Sequence, residues 1–213
     1  MTQLYLIRHG RTAWNNADRL QGWADEPLDA VGQAQAAALA DGLRDTALAA
    51  VYSSPLLRAS QTAAAVAAAS AVAQGLPVIL DPRLRERNVG DWTGLTLEQA
   101  RAQAPDRFER VDWRQAGAPG GDSQAALTER VAAALEDILA AHPESLVAVV
   151  SHGGALSAVL AHLLGIPPTE LVSFSFHNTA LAHLSVRPDS AGGRVVRLIS
   201  LGEGRHLERT KDE

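Results

Sequence analysis

Two short β-prone runs in this chain end in the same way. Residues 3–7 (Gln-Leu-Tyr-Leu-Ile) run into Arg8-His9-Gly10, and residues 146–150 (Leu-Val-Ala-Val-Val) run into Ser151-His152-Gly153-Gly154. Both runs have the length and composition of buried strands. The second is the most continuous β-branched run in the chain and reads as a central parallel strand. Side chains such as Arg8, His9 and His152 are costly to bury without partners. They suit the carboxyl ends of strands at the rim of an open α/β sheet, where such folds bind ligands and where two histidines can face each other across a switch point.

The rest of the chain alternates in the same sense. Residues 28–44 read as an Ala- and Leu-rich helix with Asp29 as its cap, and residues 48–52 as a second strand stopped by Ser53-Ser54-Pro55. Pro55 suits the first turn of an alanine-rich helix reaching about residue 73. Residues 77–80 form a third strand, 81–94 an irregular charged segment, and 95–115 one or two short helices broken near Pro105. After the turn at 118–121, Asp122 or Ser123 caps a helix to residue 141, and residues 155–164 form another. Residues 174–186 and 194–201 read as two final strands, neighbours through a turn around 188–193, and a charged tail starts at 208. The pattern predicts a single α/β domain over 1–213: a three-layer αβα sandwich with a mostly parallel central sheet and a small helical cap insertion at roughly 95–121.

Composition narrows the partners. With 213 residues, 46% of them hydrophobic, the chain can bury a full core. A formal net charge of -5 argues against nucleic acid or an anionic membrane, so attraction for a phosphorylated ligand has to come from a local arginine cluster. The amino-terminal apolar run is too short for a signal peptide, no stretch is long enough to span a bilayer, and zero cysteines exclude disulfides and cysteine-held metal. A cytoplasmic protein is expected, with a sheet edge that could support a homodimer.

An imidazole between Arg8 and Arg11 suits an anionic substrate, because histidine can act as a nucleophile while guanidiniums grip phosphate oxygens. Arg58 lies near the start of the helix leaving the second strand, where the helix dipole also favours anions. Glu86, in Arg83-Leu84-Arg85-Glu86-Arg87-Asn88, could protonate a leaving oxygen and then activate water. Asn15 and Gln21-Gly22 could hydrogen-bond a phosphoryl oxygen or the substrate. Each of these residues taken singly also fits a solvated or structural role.

Taken together, the chain resembles the histidine phosphatase superfamily, which includes cofactor-dependent phosphoglycerate mutases and many small-molecule phosphatases. The likeness runs through Arg8-His9-Gly10, Thr12, Trp14-Asn15, Gln21-Gly22, Pro27-Leu28, Gly32, Gln35-Ala36, Ser53-Ser54-Pro55, Arg58-Ala59 and Gln61-Thr62. It continues through Leu84, Glu86, Gly90, Trp92, Pro119-Gly120-Gly121, Ser151-His152-Gly153-Gly154 and His206-Leu207. The resemblance implies that His9 is a nucleophile carrying a transient phosphoryl group. It further implies that Arg8, Arg58 and His152 hold the oxygens and that Glu86 is acid and then base. Asn15, Gln21, Gly22, Arg87 and Gly153 are expected to line the substrate, with no metal and no cofactor required.

Within the superfamily, mutases carry a Tyr three residues after the acidic residue, a Lys eleven after it, and paired arginines in the insertion. Here Val89, Leu97 and Trp113-Arg114 occupy those places, so the phosphohistidine is expected to meet water. The expected activity is a metal-independent phosphatase acting on a small phosphorylated metabolite. A phosphoglycerate mutase and a non-catalytic phospho-ligand binding module are the alternatives. Two departures stand out: Thr93 where such phosphatases often have Glu, and Asp122 where Glu commonly follows the double glycine.

Overall fold

The computed structural model describes residues 1–71, 75–109, 112–170 and 172–204. The His206-Leu207 pair and the charged tail lie outside the described residues. In chain order the elements are β1 (Thr2–Arg8), α1 (Ala13–Asn16), α2 (Ala30–Gly42), β2 (Ala50–Ser53), α3 (Leu57–Ala69) and β3 (Val78–Leu80). Then come the single turns Pro82–Leu84 and Gly90–Trp92, followed by α4 (Leu97–Gln103), α5 (Asp106–Glu109), α6 (Trp113–Ala116) and α7 (Gln124–Ala141). The chain continues through β4 (Leu146–Ser151), α8 (Gly153–Leu163), β5 (Leu181–Pro188) and β6 (Arg194–Glu203).

The strands form one sheet in the order β3-β2-β4-β1-β5-β6. The pairings β3·β2, β2·β4 and β4·β1 are parallel, and β1·β5 and β5·β6 are antiparallel. Alternation along each strand sorts side chains to two faces. Leu4, Leu6, Val147 and Val149 point into a core shared with α7 and α8. Ile7, Ala148 and Val150 point into a second core shared with α2 and α3. Each fully buried Leu or Val stabilises the fold by roughly 1.5–3 kcal/mol, so two such faces hold the central strands firmly.

From β1 the chain turns toward β2, and from β4 it turns the opposite way toward β5, so adjacent β1 and β4 define a switch point at their carboxyl ends. The segment after β3 builds a third, smaller apolar cluster. Val89, Trp92, Ala100 and Ala118 are buried there against Phe108 and Trp113, with Trp92 stacked on Phe108 at 5.3 Å. Among the described residues no helix is long and apolar enough to cross a membrane.

Three expectations need correcting. The strand expected at 174–186 starts only at Leu181. Phe174-Ser175-Phe176 alternates like a strand, but its backbone bonds to side chains: Ser157 Oγ accepts from Phe174 N at 3.0 Å, and Phe176 O accepts from Arg8 at 2.6 Å. Helix α3 begins at Leu57, leaving Pro55 outside it. Ser54 Oγ and Asp25 Oδ1 accept from the first free amides, Leu56 N and Leu57 N, and so fix the start two residues later. That helix ends at Ala69, short of the expected reach to about residue 73, the last part of which lies outside the described residues. A turn that the pattern did not announce, α1, is closed by a capping box between Thr12 and Asn15.

Candidate active site

His9 follows β1 and His152 follows β4, and their rings lie 5.1 Å apart, both buried. Because a carbonyl can only accept, the 2.7 Å contact between His9 Nδ1 and Gly10 O places the proton on Nδ1 and leaves Nε2 bare. His9 is held well below the ordinary histidine value, first by burial and then by Arg58 and Arg8. It is a neutral imidazole with a free lone pair beside two guanidiniums.

Arg58 sits in the first turn of α3 and is almost wholly buried. Its NH1 and NH2 donate to Ala24 O at 2.7 Å and Gly22 O at 2.8 Å, and its Nε donates to His152 Nδ1 at 3.2 Å. Burial lowers its pKa to about 10. Gly22 holds φ +49 with no room for a side chain, since a Cβ would meet Val89 Cγ2 at 2.6 Å. That backbone turn delivers the Gly22 carbonyl to Arg58.

His152 has both nitrogens engaged. With Nδ1 accepting from Arg58, Nε2 carries the proton and donates to Ser54 Oγ at 2.8 Å. Burial and then the neighbouring Arg58 keep it well below the ordinary value. It stands behind the cavity wall, against His9 and Arg58, and does not line the cavity itself.

The carboxylate of Glu86 rests on the amino end of α8. Its Oε1 accepts from Ala155 N at 3.1 Å and Arg87 N at 2.8 Å, and its Oε2 accepts from Gly154 N at 3.1 Å. A Cβ at Gly154 would lie 2.5 Å from Glu86 Oε1, so any side chain there would displace the carboxylate from these amides.

Arg8, His9, Asn15, Gln21, Gly22, Arg58, Glu86, Arg87 and Gly153 all line one cavity of about 700 Å³. Nine of the ten residues singled out from sequence are thus brought to one surface, with His152 directly behind them. Asn15 Oδ1 is committed to Thr12 N and Oγ1, both at 3.1 Å, so its amide Nδ2 is the part left for a ligand. Gln21 is buried with its Oε1 unpartnered. Arg87 is buried and stacks over Trp113, and its two terminal nitrogens donate to Arg114 O and Gln124 Oε1. Among the described residues, Arg8, Arg58 and Arg87 form no ion pair with a carboxylate. Three cations around one cavity with no carboxylate in ion-pair contact make a strong anion trap.

Sequence reasoning missed Asn178, and it named Ser54 and Thr62 only within the family likeness, without a role at the site. Thr62 Oγ1 accepts from Gly10 N at 3.0 Å, and Asn178 Nδ2 donates to His9 O at 3.0 Å, so both fix the turn that carries His9. Their neighbours in sequence give no hint of this, since the contacts span 52 and 169 residues. Also missed were residues 173–176, which line the cavity as an irregular segment. Among the described residues there is no cluster of His, Asp and Glu of metal-binding geometry.

A family model of the histidine phosphatase superfamily, branch 1, matches residues 4–199, and the chain belongs to that superfamily. The probable phosphoglycerate mutase GpmB of Yersinia enterocolitica is 36% identical over 212 residues, covering 98% of this chain and 96% of the relative. The solved mycobacterial glucosyl-3-phosphoglycerate phosphatase in complex with VO3 matches with a TM-score of 0.81 at 32% identity, over 94% of this chain and 98% of that one. The phosphoserine phosphatase of Entamoeba histolytica in complex with 3-phosphoglyceric acid matches with a TM-score of 0.80 at 30% identity, over 97% and 100%.

Proposed function

We propose that the chain is a metal-independent phosphatase that hydrolyses a small phosphorylated metabolite through a phosphohistidine at His9. The observation that carries this reading is the bare, neutral Nε2 of His9 set beside Arg8 and Arg58 at the wall of a cavity that Glu86 also lines. In the first step His9 Nε2 attacks phosphorus and the ester P–O bond breaks. Glu86, in its acid form, gives its proton to the departing oxygen. In the second step Glu86 as carboxylate takes a proton from water, the water oxygen attacks phosphorus, and the P–N bond breaks to release inorganic phosphate. Arg8 and Arg58 bear the charge that builds on the equatorial oxygens. His152 orients Arg58 through Nδ1, and contact with a phosphoryl oxygen requires its Nε2–H to leave Ser54 Oγ for that oxygen.

Arg87 and Arg19 also line the cavity, and they suit a substrate with an acidic group beyond its phosphate, whereas Arg114 at the same wall is paired with Asp112 at 3.7 Å. The phosphatases matched above, named for phosphoserine and for a glycosylated phosphoglycerate, support that class. The name of the Yersinia relative favours a second reading, a phosphoglycerate mutase. Against it, Val89 lines the cavity where a mutase tyrosine would stand, and Leu97 does not line it at all.

The test is phosphate release from a panel of phosphomonoesters in EDTA, with wild type and His9→Ala, each with and without 2,3-bisphosphoglycerate. Release that survives EDTA and is lost in His9→Ala is expected. Isomerised product that depends on the bisphosphate would establish the mutase instead.

A further inference from the structure

Glu86 lies in a segment with no regular secondary structure, yet an acid that serves both steps has to hold its place within a fraction of an ångström. Its carboxylate is held by the amino end of α8. What holds its backbone is a separate device on α7, some forty residues further along the chain.

Arg130 projects from α7 and spends its guanidinium on the Glu86 segment. Its NH1 donates to Arg83 O at 2.9 Å and to Arg85 O at 2.8 Å, and its NH2 donates to Glu86 O at 3.1 Å. The same NH2 meets Asp122 Oδ2 at 3.0 Å, and that carboxylate oxygen also accepts from Asn88 N at 3.0 Å. Asp122 N in turn donates to Asn88 O at 2.9 Å. The pair therefore grips the chain on both sides of Glu86, by carbonyls before it and at it and by an amide after it. Trp23 closes the arrangement: its Nε1 donates to Glu86 O at 2.7 Å while the Arg130 guanidinium lies 5.8 Å over its ring.

This is more than an ordinary surface ion pair. The Arg130 and Asp122 side chains are only 20% and 22% exposed, and every donor contact given to Arg130 other than the pair itself goes to a main-chain carbonyl between residues 83 and 86. Planar guanidinium suits several fixed acceptors in a way that an ammonium cannot. The arrangement also gives Asp122 a role. A shorter acid than the Glu usual after the double glycine reaches Asn88 N and Arg130 together.

We infer that Arg130, braced by Asp122, is a positioning residue that sets the reach of Glu86 to the departing oxygen. The inference rests on the reading of Glu86 as acid and base. It predicts a fault that depends on the leaving group, since a departing phenolate needs little help from an acid whereas an alkoxide needs much.

The experiment compares kcat/KM and kcat for p-nitrophenyl phosphate and for a simple alkyl phosphate in wild type, Arg130→Lys, Asp122→Asn and Glu86→Gln, and in the combination of Arg130→Lys with Glu86→Gln. Circular dichroism and thermal unfolding show that each protein is folded. Arg130→Lys should lose on the order of 10–100-fold in kcat/KM, which reports P–O cleavage alone, on the alkyl ester and only a few-fold on the aryl ester. Its kcat should fall alike on both wherever hydrolysis of the shared phosphohistidine limits it. Asp122→Asn should show the same asymmetry, more weakly. Added to Glu86→Gln, Arg130→Lys should cost little more, because the group it serves is already gone.

Equal losses in kcat/KM on both esters, or losses that multiply in the Glu86→Gln background, would overturn the inference and leave Arg130 as a fold-stabilising residue. If Glu86→Gln itself shows no dependence on the leaving group, the reading of Glu86 fails. If Glu86→Gln shows it and the Arg130 and Asp122 variants do not, only the positioning role fails.

Discussion

At the inner end of the cavity, His9 directly follows β1 and Arg58 sits in the first turn of α3 after β2, backed by His152 directly after β4, and the strands that precede them pair in the parallel ladder. At the outer end, Trp113 and Arg114 stand on α6, a single helical turn, and residues 173–176 follow no regular element. Polar groups inside are held by one another and by main-chain atoms: Arg58 by Gly22, Ala24 and His152, and His9 by Gly10. Outside, Trp113 packs against Trp92 and Phe108 in a small apolar cluster separate from the main cores. A site that must place charge at a reacting phosphorus needs preorganisation, and the sheet supplies it. A site that must admit one leaving group and refuse others can be built on short elements that vary without disturbing the fold.

The sharpest way to break this contrast is to remove the nucleophile. His9→Ala should cost about 10⁴-fold or more in kcat on every substrate, because among the described residues His9 is the only imidazole lining the cavity. Phosphate release under single-turnover conditions measures it. Arg58→Ala should follow, with a loss of about 10²–10³-fold in kcat. If its KM rises while kcat holds, the guanidinium merely binds ground-state phosphate, and the inner end is less specialised than described.

Gly154→Ala is a subtler inner-end test. The added methyl would lie 2.5 Å from Glu86 Oε1, so the carboxylate must move, and a loss on the order of 10²-fold is expected on alkyl phosphates. At the outer end Trp113→Ala should leave kcat for a small aryl phosphate within a few-fold of wild type. It should shift the ranking of acidic and bulky substrates by about tenfold in kcat/KM. A uniform collapse across substrates would show that the outer wall also supports the chemistry.

Acidification should have the smallest effect near neutrality. His9 and His152 are both held well below 6.5, so His9 stays a competent nucleophile as pH falls through that value. The acid limb of kcat/KM, corrected for the substrate's own titration, should lie clearly below it. Stability carries the matching sign. Both folded-state values are depressed below the unfolded one, so their contribution is fully present above about pH 6.5 and is lost as pH falls from there toward the folded values. Tm measured across that range should be flat on the neutral side and fall on the acid side.

Much of the inner end was legible in the sequence. A strand followed by Arg-His-Gly and another followed by Ser-His-Gly-Gly constrain both position and chemistry, because period-2 burial and a polar break identify a strand end locally. The site residues that escaped are those whose role depends on distant partners. Asn178 bonds the His9 carbonyl across 169 positions, and nothing around it in the sequence marks it. Phe174-Ser175-Phe176 imitates a strand because alternation records which side chains are buried and not what the backbone bonds to. The orientation of His152 was equally hidden, since its place at the end of β4 does not reveal that Arg58 and Ser54 occupy its two nitrogens. Arg130 drew no attention, sitting in an ordinary amphipathic helix whose apolar face accounts for its pattern.

The most direct test of the central claim is to trap the intermediate. Wild-type protein would be mixed with an excess of a good aryl phosphate in EDTA, quenched in alkali within the first turnovers, and digested for mass spectrometry. A phosphoryl group on the peptide carrying His9, lost on brief acid treatment and formed and discharged as fast as turnover, is the result expected. Turnover with that peptide unmodified, and with inversion at a chiral phosphorus where a double displacement gives retention, would show that water attacks directly and that His9 is not the nucleophile.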